Sequence, residues 1–129
     1  MKKFGDTVER GETIISVVIA VPVVLSMLLI SVQATLFLHS AHIAALASTK
    51  GASLAANSDQ NLGSAINSAT ITVAEMGGQL VGSPSASILG QFAMVTVQVV
   101  VPNIAPFFPD SVIRTAEEPL EVFVPEDER

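Results

Sequence analysis

"RGETIISVVIAVPVVLSM", residues 10–27, passes from a charged, glycine-containing segment directly into an apolar run with a proline inside it. From Thr13 to Leu38 there is no charged side chain. The apolar run Ile14–Leu38 is 25 residues long. As a helix it rises about 37 Å, more than the ~30 Å hydrocarbon core of a bilayer. A secretory signal needs only about 7–15 apolar residues before a small-residue cleavage site. Ala45-Leu46-Ala47 offers such a site, with Ser48 as the new first residue, but it lies far downstream of a run that is already too long. The run therefore reads as a retained membrane span over 14–38. Lys2, Lys3 and Arg10 precede it, and basic residues beside a span stay cytoplasmic. Asp6, Glu9 and Glu12 share that segment, but acids count for little in the rule. The expected topology is a single span with the N-terminus inside and residues 39–129 outside.

Polar side chains within the run include Ser16, Ser26, Ser31 and Gln33, and Pro22 is set among them. Proline is tolerated in membrane helices, and Pro22 reads most simply as a kink. The serines and Gln33 read as groups that bond back to the helix or touch a neighbouring one.

Beyond the run, the sequence predicts that the same helix continues to about residue 57. Ala41, Ala45, Ser48, Ala52 and Ala55 recur at helical spacing, and Ala44, Ala47, Gly51 and Leu54 form an adjacent stripe. Small residues at this spacing let another backbone approach closely. Two partners fit the pattern equally well: the chain's own domain, or a neighbouring helix in an assembly. "ANSDQNLG", 56–63, breaks the helix with turn and cap residues. A second helix fits 61–76, with Leu62, Ala65, Ile66, Ala69, Val73 and Met76 on one face and Gly77-Gly78 at its end. "QFAMVTVQVVV", 91–101, alternates as a strand, and "SASIL", 85–89, pairs with it across Gly90. "PNIAPFFP", 102–109, holds three prolines and cannot be a central strand. "SVIRTAEEPLEVFV", 111–124, reads as a last strand interrupted at Pro119, and "PEDER" as a solvated acidic tail.

The expected fold class is thus an α+β membrane protein: a long N-terminal helix, half in lipid and half exposed, packed with a second helix and a small antiparallel sheet of about three strands. The exposed part is small, and a core of this size is marginal without outside help.

Charge and residue types narrow the function. After Leu38, Lys50, Arg114 and Arg129 face nine carboxylates (Asp59, Glu75, Asp110, Glu117, Glu118, Glu121, Glu126, Asp127 and Glu128). That balance cannot neutralise phosphates, so nucleic acid is not an expected partner. There is no Cys, and hence no disulfide, thiolate metal site or Cys nucleophile. His39 and His42 share a helix face, but two histidines without a third ligand make no zinc site. No phosphate-cradling loop or nucleophile elbow is present. The residues give no positive case for an enzyme, and no cofactor or metal is expected.

Four features in order are similar to one known family. These are "ERG" at 9–11 before the span, Pro22 eleven residues after Gly11, the Ala-rich helix with "KGASLAA" at 50–56, and "AEEPLEVFVPE" at 116–126. In that order and spacing the chain resembles the TadE-like proteins of the tight-adherence (Flp) pilus system, especially the actinobacterial ones, over nearly its whole length. The resemblance implies a pilin-like minor subunit, or pseudopilin, of a type IV pilus or related secretion apparatus. It implies residues 1–11 as a cytoplasmic leader that a prepilin peptidase removes after Gly11, leaving Glu12 as the new N-terminus. Residues 12–57 would be the long pilin-like helix and 58–129 the exported domain. The implied partners are the membrane, other pilin-like subunits, the pilus assembly platform and the peptidase. Ser16, Pro22, Ala41, Ala45, Ser48, Ala52 and Ala55 would be the helix-packing residues. The family pattern places a Glu five residues into the mature chain, where its charge pairs with a neighbour's N-terminal ammonium. That position is Ser16 here. An uncharged residue there implies a low-copy initiator or tip subunit, or an unprocessed accessory, rather than an abundant self-polymerising one. The alternative to the family reading is an unprocessed single-span envelope protein with an extracytoplasmic binding domain. An envelope enzyme comes third.

Overall fold

The computed structural model describes residues 5–57 and 59–122. The acidic tail at 125–129, the end of the expected last strand at 123–124, and the basic pair Lys2 and Lys3 lie outside the described residues.

One helix, α1, runs Gly5–Ala56 over 52 residues with Pro22 inside it. It starts earlier than expected, because the segment through Gly11 and Glu12 is helical as well. Pro22 has no N–H to give, so the Val18 carbonyl lacks its intrahelical partner. Hydroxyls support the helix nearby: Ser26 Oγ donates to the Pro22 carbonyl at 2.7 Å, Ser31 Oγ to Met27 at 2.8 Å and Thr35 Oγ1 to Ser31 at 2.9 Å. Back-bonding of this kind is the ordinary use of hydroxyls in apolar helices.

The second helix, α2, spans Leu62–Glu75. Asn61 caps it, its Oδ1 accepting from the Ser64 N–H at 3.0 Å. At the other end Gly77 N–H bonds Ala74 O at 3.1 Å and Gly78 N–H bonds Val73 O at 2.8 Å. This is the Schellman pattern, and it satisfies carbonyls that the helix end would leave open.

Three antiparallel strands follow, β1 (Ser85–Leu89), β2 (Phe92–Val100) and β3 (Ser111–Pro119), in the order β1-β2-β3. Leu89 pairs with Phe92, so Gly90-Gln91 is a two-residue hairpin loop. Gly90 takes φ +61 at its first position, a conformation that suits glycine in such turns. β3 stops at Pro119, the interruption expected from the sequence. An isolated bridge pairs Leu80 with Val99, and Gln79 and Val81 bond the β2 backbone on either side. This short stretch continues the β1 edge.

Both helices lie on one face of the sheet. Ala93, Val95, Val97 and Val99 of β2 point at them and are fully buried, and the alternate residues of β2 are half-exposed. The core against α1 and α2 is made of Ala and Val, with Ile43 the largest fully buried side chain. Gly51 is where the layers come closest. A Cβ there would lie 3.0 Å from Val95 Cγ1, 3.1 Å from the Ala65 carbonyl oxygen and 3.4 Å from Ala69 Cβ. Helix, helix and sheet therefore meet at a position with no side chain. A last bond closes the domain, from Glu121 N–H to the Ala56 carbonyl at 2.9 Å. It gives the C-terminal end of α1 a partner that no capping glycine supplies.

Candidate functional site

The surroundings of α1 change abruptly at Gln33. Every residue from Glu12 to Val32 is exposed, including fourteen large apolar side chains from Ile14 to Val32. Gln33 is 0% exposed. Its Nε2 donates to the Pro102 carbonyl at 3.1 Å. Its Oε1 accepts from the Ile104 N–H at 2.8 Å and the Ala105 N–H at 3.3 Å. One amide thus satisfies three backbone groups of the proline-rich loop that joins β2 to β3. Two turns further on, Ser40 Oγ donates to the Val100 carbonyl at 3.1 Å. Among the described residues, no buried side-chain nitrogen or oxygen lacks a partner.

The residues singled out from the sequence fall into two separate groups. Gly11, Glu12, Ser16 and Pro22 lie on the N-terminal half of α1, where Gly11 is half-buried and the other three are exposed. Ala41, Ala45, Ser48, Ala52 and Ala55 lie on the wrapped half. There Ala41, Ser48, Ala52 and Ala55 are buried in the chain's own domain and Ala45 is half-buried. Ser48 Oγ is spent on the Ala45 carbonyl at 2.9 Å. Of the two partners that the small-residue stripe allows, the structure supplies α2 and the sheet. The stripe therefore packs within the chain; of the adjacent stripe, Ala44, Ala47 and Gly51 are buried with it and Leu54 is exposed.

The domain begins to cover α1 before the apolar run ends at Leu38. Leu36 and Phe37 are half-buried against the domain and Ser40 is buried, so the domain already holds the helix from Gln33. His39 and His42 are exposed. Among the described residues, no three His, Asp or Glu side chains gather as a metal-binding group.

Gln33 is the residue that sequence reasoning undervalued. It is an amide in an otherwise apolar run, and the loop that it holds lies some 70 residues away. Its only local signal is that an amide in a span needs several partners, more than a helix face provides. Comparison of the chain with protein-family models, with curated proteins and with solved structures returned no match.

Proposed function

We propose that this chain is a membrane-anchored, pilin-like minor subunit that contributes to assembly of a tight-adherence pilus or related secretion apparatus. Its N-terminus is cytoplasmic and its α+β domain stands on the far side of the membrane. The observation that carries the reading is the step at Gln33, where one unbroken helix changes from bare and apolar to the spine of a domain. Within Arg10–Ala56 the helix is long and apolar enough to cross a membrane. Burying one large apolar side chain is worth about 1.5–3 kcal/mol. Leaving fourteen of them in water would cost more than the ~5–15 kcal/mol stability of a whole domain. The bare half is apolar all round, as a helix in lipid or in a bundle of like helices must be. A span that is also the spine of its exported domain is the architecture implied by the family resemblance. "ERG" before the span and Pro22 inside it add support from the sequence.

Peptidase processing tests the reading. Gly11 is the weakest helix former in its segment, costing about 1 kcal/mol against Ala, so unwinding for cleavage is cheapest there. Coexpression with a prepilin peptidase should yield a chain that starts at Glu12, detected by intact mass and N-terminal sequencing. A Gly11→Val variant should keep its leader. A wild-type chain that still starts at Met1 would sink the processed-subunit reading and favour the unprocessed single-span envelope protein. Ser16 and the unbroken helix through Gly11 are the features that favour this second reading.

A further inference from the structure

The loop from Val101 to Asp110 is held at many points. Val101 N–H bonds the Asp110 carbonyl at 2.8 Å and Phe108 N–H bonds the Ala105 carbonyl at 3.3 Å. Pro102, Pro106 and Pro109 restrict its backbone, and Gln33 grips it from the helix. Yet Phe107 is 93% exposed and Ile104 52% exposed. Packing within the chain gives no reason for a braced loop to hold a phenyl ring in the open.

The loop's height supplies a reason. The bare segment Ile14–Val32 is 19 residues, a rise of about 28 Å. That matches the ~30 Å hydrocarbon thickness. Gln33 is the next residue, so its amide fixes the loop at the level where hydrocarbon gives way to headgroups. Residues 102–109 carry no charge. At that level water still reaches backbone groups, so an irregular loop incurs none of the penalty it would meet deeper in the bilayer.

We infer that the 102–109 loop is a lipid-docking foot, with Ile104 and Phe107 seated in the headgroup–acyl boundary of the leaflet from which the domain emerges. Shallow burial of apolar side chains is the way interfacial segments hold a membrane. The inference rests on the span reading of the bare half and goes beyond it. A span alone leaves the direction of helix tilt open, and a second contact beside the helix at the membrane surface sets toward which face the domain leans.

The chain has no Trp, so a single introduced Trp is a clean reporter. Three full-length variants, Phe107→Trp, Val24→Trp and Leu89→Trp, are reconstituted in vesicles of phosphatidylcholine and phosphatidylglycerol. The lipids are brominated either near the headgroup or deep in the chains. Leu89, at the far end of the sheet, is the solvent control. The expected result is blue-shifted Phe107→Trp emission, quenched by shallow bromines roughly twofold more than Leu89→Trp, with Val24→Trp quenched by deep bromines. If Val24→Trp is quenched and Phe107→Trp behaves like Leu89→Trp, the foot is wrong and the span stands. Unquenched Val24→Trp overturns both. A blue shift at Phe107→Trp that grows with protein-to-lipid ratio and ignores bromine assigns the loop to a second copy of the chain, and also overturns the foot.

Discussion

From Ile14 to Val32, α1 carries Val, Ile, Leu and Met on every side. From Ser40 to Ala56 the face turned to the domain is Ala, Ser and Gly, with Ile43 the one large exception. The two halves are one helix, and side-chain size separates them. Where a protein backbone must come close, as at Gly51 beside Val95 and Ala65, the helix keeps its surface small. Where no partner of fixed shape is present, bulk costs nothing in fit and adds apolar area. The wrapped half depends on close contacts that a single atom can spoil, and the bare half depends on composition.

The strongest way to break this comparison is to place a charge in the wrapped half. Ala52→Glu puts a carboxylate at a fully buried position with no partner. The cost is several kcal/mol, a large share of a small domain's stability. Hydrogen exchange on the full chain in detergent should show β2 amides losing protection while Ile14–Val32 keep theirs. Persistent protection in β2 would mean that the stripe is not a core face.

Next in size is Gln33→Leu, which removes the partner of the Pro102 carbonyl and of the Ile104 and Ala105 N–H groups. Buried groups left unpaired cost about 1–3 kcal/mol. Ile104 and Ala105 amides should exchange faster, and unchanged exchange would remove Gln33 as the brace of the loop. Gly51→Ala should cost less, about 1 kcal/mol net. Overpacking of about 1–3 kcal/mol is offset in part by about 1 kcal/mol of helix propensity. A rise in the thermal midpoint would show that Val95 yields easily. The smallest effect belongs to the bare half. Val24→Ala should leave domain stability within about 0.5 kcal/mol, and a larger loss in denaturant titration would mean that the two halves are coupled.

Local signals made most of the fold legible. Asn61 before an apolar-periodic run, Gly77-Gly78 after it, the alternation along 91–101 and the Gly90 turn each act through neighbours a few residues away. What stayed hidden depends on distant groups. The Ala stripe fits a sheet or a foreign helix equally, because spacing encodes closeness and not the identity of the neighbour. The role of Gln33 could not be read, because its partners are backbone groups of a loop far along the chain. For the same reason the lower edge of the domain fell at Gln33 and not at the last apolar residue, Leu38. The processing role expected of Gly11 and Glu12 rests on the family resemblance alone.

Between Pro22 and Gly51 there is neither glycine nor proline, and α1 crosses the Gln33 step without a break. The domain is therefore mounted like a flag on a stiff mast. From Gln33 to Ala56 the mast rises about 36 Å. On the proposed span reading, a lean of about 20° would carry its far end about 12 Å sideways. Any force that tips the lower segment is delivered to the top as a displacement, with no joint between to absorb it.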